Sequence, residues 1–284
     1  MITCNLMGGL GNQLFQIFTT ISCALESTNQ FVFTNAKTLG TGNTTVRITY
    51  WNTFLFELKP FLTNLFPTMT QIKENGFHYQ DIPIHLLQNK DVCLFGYFQS
   101  YKYFQPRTNF IYKMLKIQQK KKEVFDKCGY SKKYLEDTIS LHFRMGDYKK
   151  SPNVHPIMPY EYYENAISKI YLKNPKKMLN VIYFCENEDI DDVNEKIIRL
   201  QFKFPKYIFV RASYTCMLED WEQMLLMSMC KYNVIANSSF SWWSAYLNTE
   251  KDRHIYYPDV WFGKACNHDL KDLFPPSWIK VEIT

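Results

Sequence analysis

The sequence predicts an α/β protein whose second half forms one doubly wound parallel sheet. From Thr138 onward, short β-branched and aromatic runs alternate with stretches of helical period. The intervening helical stretches are about ten to fifteen residues long, the length that parallel βαβ crossovers require. A chain of 284 residues with 46% hydrophobic and 17% aromatic side chains can bury a sizeable core, in one large domain or two modest ones.

In the first half, "ITCNL", "FVFT" and "VCLFGYF" read as strands. "NQLFQIFTTISCAL" reads as a helix with Leu14, Phe15, Phe18, Ile21 and Leu25 at apolar positions. From Thr38 to Asn89 the chain is rich in aromatics and turn residues without a clear period, and no element is assigned. This irregular region, including "TYWNTFLFELKPF", is where an acceptor surface is expected.

The second half reads in order as strand "TISLHF", helix "MPYEYYENAISKIYL" with Pro159 near its first turn, strand "LNVIYFC", helix "DIDDVNEKIIRL" and strand "KYIFV". Helix "EDWEQMLLMSMC", strand "YNVIAN", helix "SFSWWSAYL" and strand "HIYYP" follow. The expected division is residues 1–130 as a smaller, decorated Rossmann-like domain and 131–284 as the doubly wound one, joined near the basic helix around 116–133.

Composition narrows the function. The net charge is +6, and its densest run, "KIQQKKKEVFDK", reads as a solvated helix face; lacking interleaved aromatics, it does not point to a nucleic-acid partner. No stretch reaches the eighteen or so apolar residues of a membrane helix, and Met1 leads almost directly into a glycine cluster, so neither a membrane segment nor a signal peptide is expected. The eight cysteines (Cys4, Cys23, Cys93, Cys128, Cys185, Cys216, Cys230, Cys266) lack paired or zinc-like spacing and read as free, mostly buried thiols of a reducing compartment. The histidines His78, His85, His142, His155, His254 and His268 include no i, i+4 pair, and no Gly-x-Ser-x-Gly elbow is present, which leaves zinc and serine hydrolysis unsupported.

Three loops carry candidate chemistry, each at the carboxyl end of an expected strand, where open α/β sheets bind ligands. In "LMGGLGNQLFQIF", Gly9 and Gly11 match the first two glycines of a dinucleotide fingerprint, but Leu14 stands at the third, and no Gly-Lys-Ser/Thr follows. What remains is a flexible turn with Asn12-Gln13 at a helix start, able to meet an anion or hydroxyls, or an ordinary turn with Asn12 as the N-cap.

"LHFRMGDY" brings His142, Arg144 and Asp147 to a strand end, with His142 and Arg144 on one face by alternation and Gly146 permitting a sharp turn. Arg144 would grip a phosphate or, alternatively, pair with Asp147. In "VIANSSFSWWSAYL", Asn237, Ser238 and Ser239 precede an aromatic helix whose N-terminus favours negative charge, either as a phosphate seat without a metal or as a capping turn. Trp242 and Trp243 read as packing rather than ligand stacking. Together the loops describe a nucleotide-diphosphate site between two domains, Arg144 supplying the charge that the glycine loop lacks. Asp189-x-Asp191, a spacing seen in metal-dependent sugar transferases, reads instead as first-turn acids of a helix.

"GGLGNQLFQ", "HFRMGDY" and "LMSMCKYNVIANSSFSWWSAYL", with "PYEYYENAI" and the terminal "WF...W", together resemble glycosyltransferase family 11, the α-1,2-fucosyltransferases, over nearly the whole chain. The resemblance implies a GT-B-like fold of two Rossmann-like domains facing a cleft, an inverting mechanism, a GDP-β-L-fucose donor, a galactose-terminated glycan acceptor and no metal or other cofactor. It implies that Arg144 holds the donor pyrophosphate and that His142 and Asp147 shape the same loop. Asn12 in its Gly11 turn would reach the donor from the facing domain, and Ser238, Ser239 and Phe240 would flank phosphates and nucleoside. Asp147 is the nearest candidate for a base.

Two departures bear on the donor: Gln223 stands where the family has an acid, and Cys185–Glu188 ("CENE") where it has "SDD". The lack of an anchor resembles bacterial or viral members acting in the cytosol, possibly the host's, and the sequons at Asn43-Thr44-Thr45 and Asn237-Ser238-Ser239 fit, since a glycan on the second would block the phosphate turn. The alternatives are the same reaction with another nucleotide-linked 6-deoxysugar such as rhamnose, and a non-catalytic glycan- or nucleotide-binding protein.

Overall fold

In the computed structural model, which describes residues 1–40 and 45–283, the alternation resolves into two units. The first takes in Met1–Lys120 and His268–Pro275, the second Lys121–Asn267 and Pro276–Thr284. Asn43 and Thr44 of the first sequon lie outside the described residues. No helix among the described residues is long and apolar enough to cross a membrane.

The first unit is built on β1 (Ile2–Cys4), α1 (Leu10–Glu26), β2 (Thr70–Lys73) and β3 (Val92–Phe95). β3 lies between β1 and β2, all parallel, and a bridge from Ile2 to Phe31 extends the sheet beyond β1. Helix α1 is buried nearly all round, so it is a central rather than a surface helix. Its polar residues answer local backbone groups: Gln16 accepts from Met7 N (2.9 Å) and donates to Met7 O (3.2 Å), and Thr20 donates to Gln16 O (2.7 Å). Besides the Phe31 bridge, "FVFT" contributes Phe33–Thr34, paired in parallel with Leu62–Thr63.

The second unit follows the expected alternation. Its elements are β4 (Thr138–His142), α2 (Tyr160–Lys173), β5 (Asn180–Phe184), α3 (Ile190–Lys203), β6 (Ile208–Arg211), α4 (Asp220–Met227), β7 (Tyr232–Val234), α5 (Ser239–Tyr246), β8 (His254–Pro258) and β9 (Ile279–Val281). The sheet order is β6-β5-β4-β7-β8-β9, every pair parallel. Counted within the unit this is 3-2-1-4-5-6, the Rossmann order, whose winding reverses between the first and fourth strands and opens a crevice at their carboxyl ends.

Buried amides fasten that reversal. Asn233 on β7 donates to Ser140 Oγ on β4 (2.7 Å) and to Met227 O at the end of α4 (2.6 Å), and its Oδ1 accepts from Asn248 Nδ2 (2.8 Å). From α2, Tyr162 donates to Ile235 O (2.5 Å) and Tyr163 to His142 O (3.2 Å), holding the ends of β7 and β4. Trp242 and Trp243 are fully buried; Trp242 stacks on Tyr246 at 4.8 Å and packs against Trp278, so both are core residues as read.

Two expectations are corrected in part. The basic run has a solvated face, with Lys122, Glu123 and Asp126 exposed, but two of its lysines leave it: in the helix Ile117–Cys128, Lys120 is buried with Glu57, and Lys121 is buried and donates to Leu247 O (2.6 Å) beyond α5, burial pushing its pKa down to about 8. Of the free cysteines, Cys4, Cys23 and Cys230 are buried and the other five are partly exposed.

Replacing Asn233 with Ala removes one hydrogen-bond partner each from Ser140 Oγ, Met227 O and Asn248 Nδ2. The expected cost is about 2–4 kcal/mol, read as a lower urea midpoint at unchanged m-value. An unchanged midpoint would show that the amide network does not hold β4 to β7.

Candidate functional site

The crevice at the carboxyl ends of β4 and β7 gathers the second and third sequence loops. His142, the last residue of β4, is buried with its ring 5.7 Å from that of Phe240 in the first turn of α5. Phe143 turns the other way and packs on Tyr163 at 4.2 Å, which leaves Arg144 beside His142 as alternation requires. Burial first, and the Arg144 charge second, push the His142 pKa down to about 3; its Nδ1 has no hydrogen-bond partner.

Arg144 is doubly paired. Nη2 contacts Asp147 Oδ1 at 2.5 Å and Nη1 pairs with Glu186 from the loop after β5. The guanidinium is only 20% exposed; burial works against its charge, but Glu186 and Asp147 outweigh that and hold its pKa above the ordinary value. Tyr148 lies under it at 5.3 Å and donates to Asn237 O (3.0 Å), linking this loop to the one after β7. The Arg144–Asp147 pair anticipated as an alternative to phosphate binding is therefore present.

The turn is built around Gly146. Its backbone N donates to Asp189 Oδ2 at 2.7 Å, and a Cβ there would collide with the Glu186 carboxylate. Asp189, buried at the N-cap of α3, also pairs with Lys149 at 2.8 Å, which in turn reaches Asp192 at 2.7 Å. The Asp189-x-Asp191 spacing thus supplies one structural acid and one first-turn acid.

In the loop after β7, Asn237 Nδ2 donates to Pro156 O (2.8 Å) and Trp261 O (3.1 Å), while its Oδ1 is buried without a hydrogen-bond partner. Ser238 is the N-cap of α5, its Oγ accepting from Phe240 N (3.3 Å), while Ser239 begins the helix half-buried. The carbonyl of Pro156 and the bonds from Gly263 N to Val154 O and Ala265 N to Asn153 O, both 2.9 Å, fold the 152–156 segment over the crevice. That brings His155 onto Tyr148, rings stacked at 4.7 Å, with Phe262 at 5.9 Å. Burial lowers the His155 pKa, Asp147 opposing and Arg144 adding to the shift.

His155, Tyr148 and Glu186 have no candidate role in the sequence analysis. Glu186 had a signal, since it sits in the departing "CENE" stretch; His155 and Tyr148 are assembled by long-range backbone bonds that no spacing reveals. Gln223 is half-buried and donates to Leu218 O (3.1 Å).

In the first unit the glycine loop departs from one reading of Asn12. The helix starts earlier, at Leu10, with Gly9 as N-cap and no side-chain cap, so Asn12 is not the cap. Gly8 has φ +76°, and a Cβ there would strike the Asn12 amide, so only glycine fits. Asn12 Oδ1 accepts from Gln99 Nε2 (2.9 Å), Gln13 donates to Gly8 O and Ile48 O (3.0 and 2.9 Å), and Gly11 is buried in the first turn.

A separate hollow of about 340 Å³, lined by Tyr134, Asp137, Met178, Asn180 and Ile208, lies where β4, β5 and β6 begin. That is the opposite end of the sheet from the ligand-binding crevice of this topology.

The glycosyl transferase family 11 model matches residues 1–282. The O-antigen biosynthesis glycosyltransferase WbnK of Escherichia coli is 35% identical over 200 residues, which are 66% of this chain and 60% of WbnK's length. An Alpha-1,2-colitosyltransferase of Escherichia coli is 26% identical over 307 residues, covering 99% of each chain. A solved structure of a substituted Arabidopsis thaliana FUT1 in complex with GDP aligns with a TM-score of 0.48 and 12% identity, over 90% of this chain and 69% of that one.

The buried His142 makes the fold acid-sensitive. The unfolded chain takes up a proton near the ordinary value of 6.5, whereas the folded one resists until about 3, so stability falls as pH falls through that window. Between pH 6.5 and 5 the loss is about 2 kcal/mol. Urea midpoints at pH 7 and 5 should drop further for the native chain than for His142→Asn, and equal drops would show that His142 is paired or solvated.

Proposed function

The chain belongs to glycosyltransferase family 11, and on that premise we propose that it transfers L-fucose from GDP-β-L-fucose to the 2-hydroxyl of a terminal galactose, with inversion at the anomeric carbon. The observation that carries the reading is Arg144, a half-sequestered guanidinium at the switch point of a Rossmann-ordered sheet, beside the N-terminus of α5.

Breaking the bond from the sugar to GDP builds negative charge on the leaving diphosphate and cationic character on the sugar. Arg144 and the first-turn N–H groups of α5 are preorganised donors for that charge, so the proposal assigns no metal. Glu186, the one of the two carboxylates on Arg144 that comes from a different loop, is the one the diphosphate displaces. Asp147 stays beside the guanidinium as the candidate acceptor of the hydroxyl proton, and His142 packs the loop from beneath. Asn12 and Gly11 are assigned to the donor by the family motif they sit in, and Ser238, Ser239 and Phe240 to its phosphates and nucleoside. Asn237 is assigned to shaping the turn through its two backbone bonds.

A second reading keeps the α-1,2 linkage and changes the sugar to colitose, a related 6-deoxysugar, because the full-length relative is named for that transfer. The irregular stretch of the first unit is the proposed acceptor side, and action in the cytosol is part of the proposal.

Purified protein incubated with GDP-fucose or GDP-colitose and a panel of β-galactosides should give a 2-linked product, with Arg144→Ala lowering kcat at least about a hundredfold. Nucleotide binding without turnover of either donor would replace the enzyme by a binding protein. In thermal shift, GDP should raise Tm while UDP and dTDP do not, and at a hundred times Kd the gain is about 2.7 kcal/mol. Glu186→Gln, by freeing Arg144, should tighten GDP about two- to fivefold, in line with the modest worth of a half-exposed ion pair; weaker binding would put Glu186 itself on the nucleotide.

A further inference from the structure

Cys128 and Cys216, 88 positions apart, meet with their sulfurs 3.2 Å from each other. Cys128 closes the helix Ile117–Cys128, and Cys216 follows the short helical turn Ala212–Thr215 after β6; both belong to the second unit. Both are free and partly exposed, unlike the buried Cys4, Cys23 and Cys230.

Their surroundings allow closure. Gly129, at φ +67°, ends the helix directly after Cys128, and nothing lies within 4 Å of where its Cβ would be. On the other side, Tyr214 and Met217 are largely exposed, so the segment carrying Cys216 is not packed against a core. Shortening a 3.2 Å contact to a bond of about 2.05 Å requires a small rotation about the cysteine side chains and a shift of that segment.

We propose that Cys128 and Cys216 form a modification site, a dithiol that closes to an intramolecular disulfide on exchange with a small-molecule disulfide. One thiol, deprotonated, attacks a sulfur of the disulfide RSSR, forming a mixed disulfide and releasing one RS⁻. The second thiolate attacks the protein sulfur of that adduct, forming the Cys128–Cys216 bond and releasing the other RS⁻. Two protons leave the protein, its two sulfurs are oxidised, and RSSR is reduced to two thiols. Burial, the hydrogen bond to Cys216 and the neighbouring Glu222 hold the Cys128 thiol protonated, against the opposing charge of Lys127. Closure is therefore slow at neutral pH and faster in mildly alkaline buffer.

The bond would fasten the helix that carries Lys121 to the segment leading into α4. Because the loop it closes is long, the oxidised form is the more stable one.

The test treats the full chain with oxidised glutathione at mildly alkaline pH and digests it without reduction. The expected result is a peptide containing Cys128 joined to the one containing Cys216, an intact mass lower by two hydrogens, and a Tm raised by at least about 4 °C and restored by reductant. Cys128→Ser and Cys216→Ser should each abolish the linked peptide and the Tm rise while leaving basal turnover unchanged. Separate glutathione adducts on the two cysteines, linkage to other cysteines, no reaction, or a lowered Tm would each overturn the proposal.

Discussion

Asn233 reaches from β7 across to Ser140 on β4, and that bond lies at the one place where the second unit's sheet changes direction. Strands wound outward from β4 toward β6 and from β7 toward β9 each follow from short right-handed crossovers, but the two halves must meet with β4 and β7 as neighbours. A buried amide with all its hydrogen bonds made cannot be satisfied in another register, so the Asn233 network selects this pairing while hydrophobic burial stabilises it. The crevice, the facing of His142 on Phe240, and the proximity of the Arg144 loop to the α5 N-terminus are all consequences of that pairing.

The loop after β4 solves a second problem, keeping a guanidinium charged while most of it is out of water. An uncompensated charge there would cost several kcal/mol, and two carboxylates compensate it from opposite sides. Gly146 takes a φ of +25° with the Glu186 carboxylate where a Cβ would lie, and Asp189 receives the Gly146 N–H that the same turn points inward. Asp189 is buried in turn and leans on Lys149. Five charged groups, Arg144, Asp147, Glu186, Asp189 and Lys149, from two consecutive strand ends thus fix one turn.

Much of this was legible in the sequence and some could not have been. β4, β5 and β8 and the helices of the second unit are long enough for period to show, and the two candidate loops after β4 and β7 follow from topology. β2 is a polar edge strand, Thr-Gln-Ile-Lys, mostly exposed, and β9 has three residues; neither presents a pattern to read. Two lysines of the basic run depart from its solvated face because burial of Lys120 and Lys121 depends on Glu57 and on the Leu247 carbonyl, far away in sequence. The same limit applies to His155, carried into the site by backbone bonds from Gly263 and Ala265, and to the two carbonyls that the Asn237 Nδ2 meets.

The pairing of Arg144 also constrains where donor affinity would come from in the proposed transfer. Since the guanidinium holds two carboxylates, a diphosphate bound there would exchange one anion for another. The net gain from such an exchange is small, because the displaced carboxylate returns to water and the phosphate loses its own hydration. Under the proposal, ground-state affinity would then rest largely on the nucleoside and sugar. The charge that grows on a diphosphate as a glycosidic bond breaks has no counterpart in the exchange, so Arg144 in the proposed role would favour the transition state over the bound donor. A cation held ready by its own carboxylates is in this way better suited to lowering a barrier than to tightening a complex.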